Sequence, residues 1–95
     1  MNKKIVKFGA PWCGPCKMQN SILEELEKDF PDLDIQYIDV DTEEGEISAE
    51  KHNVQSVPTI IIYDEDGDES KRFSGLTRRA DLLNALHLTE KEETV

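Results

Sequence analysis

Long apolar runs, linkers and repeats are all missing from this chain of 95 residues. Near the start, Lys7 ends an apolar run after only Ile5 and Val6. The rest of the sequence has no apolar run of the length that a signal peptide or a transmembrane helix needs. Neither a secretory signal nor a transmembrane helix is therefore predicted. No stretch rich in Pro, Gly or Ser divides the chain. We expect a single domain over residues 1–95, in a soluble protein of the cytoplasm.

Positive charge is scarce as well. Eleven basic residues stand against 21 acidic ones, which gives a formal net charge of -10. Such a surface repels the phosphates of nucleic acids and of anionic lipids. We therefore expect neither nucleic acid nor a membrane as a partner, and a monomer is the default oligomeric state.

Cysteine is limited to Cys13 and Cys16. A disulfide across so short a loop would remove little entropy from the unfolded chain, and a domain of this size folds without one. In a reducing compartment a Cys pair is more often catalytic or metal-binding than structural. Zinc usually needs four ligands, whereas His52 and His87 fall in other predicted elements. We expect no metal site and no catalytic histidine.

Four short apolar or β-branched runs predict strands, at residues 5–8, 35–40, 59–63 and 71–73. The third run is continuous, which suits a strand that is buried on both faces. Residues 64–67 have the composition of a turn, so the last two strands predict a hairpin. The acidic residues of this turn lack the ligand spacing of a calcium-binding EF-hand.

Three segments predict helices. In residues 16–30 an apolar stripe recurs every four positions, with Leu23 widening it. The stripe consists of Met18, Ile22, Leu26 and Phe30. Residues 42–53 predict a short exposed helix, and a last helix runs from an N-cap at Thr77 to about His87. Residues 89–95 predict a frayed acidic tail.

The predicted order of elements is β-α-β-α-β-β-α, which is typical of an α/β fold. It favours a four-stranded mixed sheet with helices on both faces and a βαβ unit at the start.

The two cysteines fall where the first strand leads into the first helix. The unpaired amides and the positive dipole end of a helix favour a thiolate there. We therefore expect the pKa of Cys13 to fall from ~8.5 to between ~3.5 and ~7.5. Cys13 would attack a substrate disulfide and form a mixed disulfide, and Cys16, more enclosed by the helix, would resolve it.

The segment Ala10-Pro11-Trp12-Cys13-Gly14-Pro15-Cys16-Lys17 resembles the active-site segment of the thioredoxin family. Val57-Pro58-Thr59, before a strand, resembles the cis-proline element of that family. Gly67 and Gly75 fall where the family has glycines in a hairpin turn and in the following loop. The resemblance covers nearly the whole chain, and it implies a thioredoxin-like fold in a minimal, glutaredoxin-sized version.

The resemblance also implies an activity and a substrate surface. Pro58 would be cis and would lie against the disulfide, and an apolar rim would receive a substrate peptide. The residues of this surface would be Trp12, Gly14, Pro15, Val57, Pro58 and Gly75. The chain would reduce disulfide-containing proteins with no bound cofactor. Electrons would come from NADPH through a thioredoxin-reductase-like flavoenzyme.

The chain departs from the family pattern at three places. The additional strand and helix that precede the first strand in the family have no counterpart here. Lys7 occupies the position of a buried carboxylate that helps to deprotonate the resolving cysteine. We expect its ammonium to point outward, although a buried lysine there would tune the thiol pKa values. Gly9 replaces a frequent tryptophan and Tyr37 lies near a family lysine, so the reduction potential is expected to differ.

Three polar or aromatic residues outside the Cys pair have simple interpretations. Trp12 lies in a loop and predicts an exposed contact. Asp39 and Asp41 flank the end of the second strand and could be read as paired carboxylates, but a solvated loop or cap role is the better interpretation.

Two other functions stay open at this point. A glutaredoxin-like protein recharged by glutathione is favoured by the chain length, but glutaredoxins commonly have Cys-Pro-Tyr-Cys. A binding subunit with a thioredoxin fold is favoured by the acidic surface, but the retention of both cysteines argues against it.

Overall fold

The computed structural model describes residues 3–89. The elements follow the predicted order: β1 (Lys4–Gly9), α1 (Gly14–Asp29), β2 (Asp34–Asp39), α2 (Glu43–Lys51), β3 (Thr59–Tyr63), β4 (Glu69–Ser74) and α3 (Arg79–Leu86). No helix within residues 3–89 is long and apolar enough to cross a membrane. Apart from Thr89, the predicted acidic tail lies outside the described residues.

The four strands form one mixed sheet in the order β2-β1-β3-β4. Strands β1 and β2 are parallel and are joined by α1, which confirms the βαβ unit. Strands β3 and β4 are antiparallel and form the predicted hairpin. In its turn the Asp64 carboxylate accepts the backbone N–H groups of Asp66 and Asp68, and Gly67 takes a φ of 89°. That left-handed backbone favours glycine.

The core lies on both faces of the sheet, because successive strand residues point to opposite sides. One face packs against α1 and α3, and the other packs against α2. The first layer contains Ile5, Leu23, Leu26, Ile60, Ile62, Leu82, Leu83 and Leu86. The second contains Val6, Phe8, Ala49 and Ile61. Each fully buried Leu or Ile contributes roughly 1.5–3 kcal/mol relative to an exposed one.

The buried face of α1 differs from the predicted stripe. Met18 is 59% exposed, whereas Gln19 is fully buried between Cys16 and Leu23. The prediction for Met18 was wrong because it ranked side chains by polarity alone. Gln19 is tolerated in the core because backbone groups satisfy its amide.

The start of α3 also differs. Its N-cap is Arg78, which makes no side-chain capping hydrogen bond, so the prediction of Thr77 as the cap was wrong. The Thr77 hydroxyl instead donates to the carbonyl of Gly75, two residues earlier. The predicted end is confirmed, since His87 is the C-cap with a φ of 59°.

Candidate active site

Cys13 and Cys16 form a disulfide at the beginning of α1. Cys13 is the N-cap of this helix, and its Sγ accepts the backbone N–H of Cys16 at 3.2 Å. The helix therefore starts at Gly14, two residues earlier than predicted. Both cysteines are buried, with Cys13 5% exposed and Cys16 1% exposed. The more enclosed position of Cys16 agrees with the sequence-based expectation.

The two residues between the cysteines are exposed. A Cβ added to Gly14 would meet no atom within 4 Å, so this side of the disulfide is open. Pro15 occupies the first turn of α1, where its missing N–H removes no helical hydrogen bond. The segment therefore leaves free space beside the disulfide.

Trp12 stands at the edge of the site and is 69% exposed, as predicted. Its indole N–H donates to the Asp41 carboxylate at 2.8 Å. The Asp39 carboxylate accepts the backbone N–H of Asp41, which confirms a loop role for Asp39. The contact of Asp41 with Trp12 had no signal in the sequence, because 29 positions separate them.

A shallow groove of about 190 Å³ lies beside Trp12. Its other wall contains Val54 and Val57, and Val57 also packs against the cluster formed by the two cysteines and Ala10. The groove is therefore an apolar surface that reaches the disulfide.

The Val57-Pro58 peptide is cis, as the resemblance implied. The Pro58 carbonyl accepts the backbone N–H of Gly75 at 2.8 Å, which ties this loop to the one after β4. Gly75 has a φ of 87°, a conformation that glycine adopts readily. A direct contact of Pro58 with the disulfide stays a prediction.

Gln19 and Thr77 connect α1 to the loop that contains Gly75. The Gln19 amide nitrogen donates to the Thr77 carbonyl at 3.0 Å, and the Gln19 amide oxygen accepts the Thr77 N–H at 2.7 Å. Both residues are buried. Sequence reasoning missed this pair, although the spacing of Gln19 from Cys16 and Leu23 marks the inner face of the helix.

Lys7 is buried, with 4% exposure, so the expectation of an outward ammonium was wrong. Its side chain passes over Gly9, where an added Cβ would lie 2.8 Å from the Lys7 Cε. The absence of a side chain at Gly9 is what gives the lysine room. Burial lowers the pKa of Lys7, while the nearby carboxylate of Asp39 raises it.

Lys7 and Cys16 lie on a cleft of about 510 Å³ between β1, β2 and α1. The cleft beside Cys16 is also lined by Asn20, Tyr37 and Asp39. Burial raises the pKa of Tyr37, and the negative charges of two glutamates of α1 act in the same direction. The cleft therefore brings together charged and polar groups next to the less exposed sulfur.

The two histidines end helices. His52 is the C-cap of α2 and its Nδ1 lies 2.7 Å from the Ser48 carbonyl, while His87 caps α3. Within residues 3–89 no group of three or more His, Cys, Asp or Glu side chains is placed to hold a metal ion.

Comparison with known proteins places this site in a family. The thioredoxin family model matches residues 1–88. Thioredoxin of Chlamydia trachomatis is 37% identical over 82 residues, covering 86% of this chain and 78% of the relative. Thioredoxin of Mycolicibacterium smegmatis is 41% identical over 83 residues, covering 86% and 73%.

Solved structures of thioredoxins are similar to this chain as well. Thioredoxin of Fasciola hepatica superimposes with a TM-score of 0.79 at 34% identity, covering 90% of this chain and 79% of that one. Thioredoxin-2 of the malaria parasite gives a TM-score of 0.82 at 26% identity, covering 90% and 82%. These relatives do not favour the glutathione-linked or binding-subunit alternatives. The chain belongs to the thioredoxin family and is a protein-disulfide reductase with a redox-active Cys13 and Cys16 pair.

Proposed function

We propose that Cys13 is the attacking thiolate of a general protein-disulfide reductase and that Cys16 is the resolving thiol. The observation that carries this assignment is the hydrogen bond from the Cys16 N–H to the Cys13 Sγ at the N-cap of α1. In the reduced protein the same amide and the positive end of the helix dipole favour a negative charge on that sulfur. Cys16, at 1% exposure, cannot reach a protein disulfide before Cys13 does.

The reaction then balances in two exchanges. The Cys13 thiolate attacks one sulfur of the substrate disulfide, which forms a mixed disulfide and releases the first substrate thiolate. The Cys16 thiolate attacks the Cys13 Sγ, which forms the internal disulfide and releases the second substrate thiolate. Two electrons pass from the dithiol to the substrate.

The substrate peptide is proposed to lie across the apolar groove beside Trp12. Trp12 supplies an exposed aromatic face, and the half-buried Val57 forms the opposite wall. The open space beside Gly14 allows the approach of a second chain. The proposed binding residues are Trp12, Gly14, Pro15, Val57, Pro58 and Gly75.

The oxidised protein is proposed to be recharged by a thioredoxin-reductase-like flavoenzyme that takes electrons from NADPH. The curated relatives support this proposal because they carry the name thioredoxin. The active form is proposed to be a cytoplasmic monomer without a bound cofactor, serving electron transport to protein disulfides.

Insulin-disulfide reduction tests the proposed recharging system. The purified chain is assayed with NADPH and thioredoxin reductase, and separately with NADPH, glutathione and glutathione reductase. Turnover with the first system alone is the expected result. Turnover with glutathione alone would contradict the proposed partner, and the absence of turnover with either would contradict the general reductase role.

Trapping tests the two cysteine roles. Cys16→Ser should accumulate a mixed disulfide with the substrate, because the attacking thiol remains and the resolving one is gone. Cys13→Ser should accumulate none. Non-reducing electrophoresis separates the outcomes, and an equal yield from both variants would contradict the assignment.

A further inference from the structure

Lys7 places a buried amine close to the sulfur of Cys16. A Cβ added at Gly9 would lie 2.8 Å from the Lys7 Cε and 3.2 Å from the Cys16 Sγ, and the Lys7 Nζ is nearer still to that point. The Nζ and the Sγ are therefore at most about 6 Å apart. At this range a charge changes the ionisation of its neighbour.

Two groups beside the amine favour its protonated form, against burial, which lowers the pKa of Lys7. Asp39 lies opposite Gly9 in the pairing of β1 with β2, and its carboxylate acts against the effect of burial on Lys7. Asn20 lines the same cleft, and its buried Oδ1 accepts no hydrogen bond within the described residues. Both groups are acceptors, and they suit a cationic donor such as the ammonium of Lys7.

Other ionisable groups also line the cleft. Lys17 and Glu24 line it from α1, and Tyr37 lines it from β2. Lys17 and Glu24 are exposed, so water screens their charges, whereas Lys7 is 4% exposed. Among the ionisable side chains that line the cleft with Cys16, Lys7 is therefore the buried one, and its charge is the least screened by water.

We propose that Lys7 is a positioning residue that stabilises the thiolate of Cys16 through its positive charge. Gly9 makes this possible because it has no side chain and leaves space for the lysine. This inference rests on the proposed resolving role of Cys16. The consequence is specific to the second exchange. The ammonium raises the fraction of Cys16 that can attack the mixed disulfide at neutral pH, and Cys13 is affected less.

A chromogenic aromatic disulfide, dithiobis(nitrobenzoate), separates the two exchanges. The Cys13 thiolate attacks the reagent, releasing one thionitrobenzoate and forming a mixed disulfide. The Cys16 thiolate then attacks the Cys13 Sγ, releasing the second thionitrobenzoate and forming the internal disulfide. With the reagent in an excess at which the first exchange outruns the second, stopped-flow absorbance of the reduced protein records each release as its own phase.

The informative variant is Lys7→Met, which keeps an unbranched side chain one atom shorter and removes the charge. It should still fold, because exchanging a buried charge for an apolar group of similar volume is often neutral or stabilising. We expect the second phase to slow about tenfold at pH 7, and its midpoint to move up by about one pH unit. The first phase should change less than threefold. Lys4→Met, on the same strand but outside the cleft, should leave both phases unchanged.

Gly9→Ala provides a second way to move the charge of Lys7 away from Cys16. Its methyl group would occupy the space of the Lys7 side chain, so the second phase should slow as it does in Lys7→Met. In the double variant Lys7→Met with Gly9→Ala, the slowing should be smaller than the product of the two single effects, because the added Cβ also lies 3.2 Å from the Cys16 Sγ and keeps an effect of its own. Such coupling is what a double-mutant cycle detects between contacting residues.

The outcomes are distinct. A second phase in Lys7→Met that keeps its rate within twofold and its pH midpoint would overturn this inference and leave the cysteine roles intact. Equal slowing by Lys4→Met would also overturn it, because the effect would then follow net charge. A parent protein that releases only one thionitrobenzoate per chain would overturn the proposed roles of the cysteines, and this inference with them.

Discussion

Gln19→Leu removes both hydrogen bonds that tie α1 to Thr77 and leaves the N–H and the carbonyl of that residue unpaired. Thr77 is 5% exposed, so water replaces them poorly. Each orphaned backbone group costs about 1–3 kcal/mol, and the apolar leucine returns about 1 kcal/mol. We expect the free energy of unfolding to fall by about 3 kcal/mol. In a domain of this size that lowers the Tm by about 12–24 °C.

The measurement is urea unfolding followed by circular dichroism, with Gln36→Leu as the control. Gln36 lies exposed on β2, and the same substitution there removes no buried hydrogen bond. An unfolding midpoint for Gln19→Leu equal to that of Gln36→Leu would refute the reasoning, because the buried amide would then contribute nothing.

Gln19→Glu adds a test with a pH signature. The glutamate oxygen still accepts the Thr77 N–H, but only a protonated carboxyl can donate to the Thr77 carbonyl. Burial should therefore raise the pKa of the new carboxyl above its unfolded value of ~4.3. Its stabilising contribution is complete below that unfolded value and is lost as the pH rises through the raised pKa. The stability gap to the parent should be small at pH 4 and wide at pH 7.

Three further predictions concern other contacts. Asp41→Ala should alter the fluorescence emission of Trp12, the only tryptophan of the chain, because the indole N–H loses its carboxylate partner. An unchanged emission spectrum in both the reduced and the oxidised state would contradict this contact. Gly45→Ala should lower the free energy of unfolding by about 3 kcal/mol, because the new Cβ would lie within 2.8 Å of the Thr42 Oγ1 and closer still to backbone atoms. Gly14→Ala is the control, since a Cβ there meets no atom within 4 Å and should change the stability little. Equal urea midpoints for the two variants would refute the packing argument. Burial lowers the pKa of Lys7, so the folded state binds the lysine proton less tightly than the unfolded state does. The charged lysine therefore destabilises the fold at neutral pH, and this destabilisation disappears as the pH rises towards the unfolded pKa of ~10.4. The stability of the parent relative to Lys7→Met should therefore increase between pH 7 and pH 10 in urea titrations, and a flat difference would contradict it.

The sequence predicted the topology because each element carried a local signal. The β-branched run of β3, the turn at Gly67 and the apolar spacing of α3 each depend on neighbouring residues. Cys13 and Cys16 were found for the same reason, since the strand-to-helix turn that positions them is local.

The errors at Gln19 and Lys7 have a different origin, which is contact with residues far along the chain. Gln19 is buried because Thr77, 58 positions away, satisfies its amide. Lys7 is buried because Gly9 leaves space and Asp39 of the next strand supplies an opposite charge. Polarity scales treat such side chains as solvent-exposed, and only the tertiary structure shows the partners that offset their desolvation.

Strand β2 is an edge of the sheet, and among residues 3–89 no strand pairs with its outer side. A row of unpaired backbone groups like this one is a template on which another chain can add a strand. Asp34 and Asp39 stand exposed at its two ends, and the chain as a whole carries a net charge of -10. A second copy approaching this edge would bring carboxylate towards carboxylate, so repulsion protects the strand from self-assembly. That protection weakens as salt shortens the range of the repulsion, which makes the solubility of this acidic protein dependent on ionic strength.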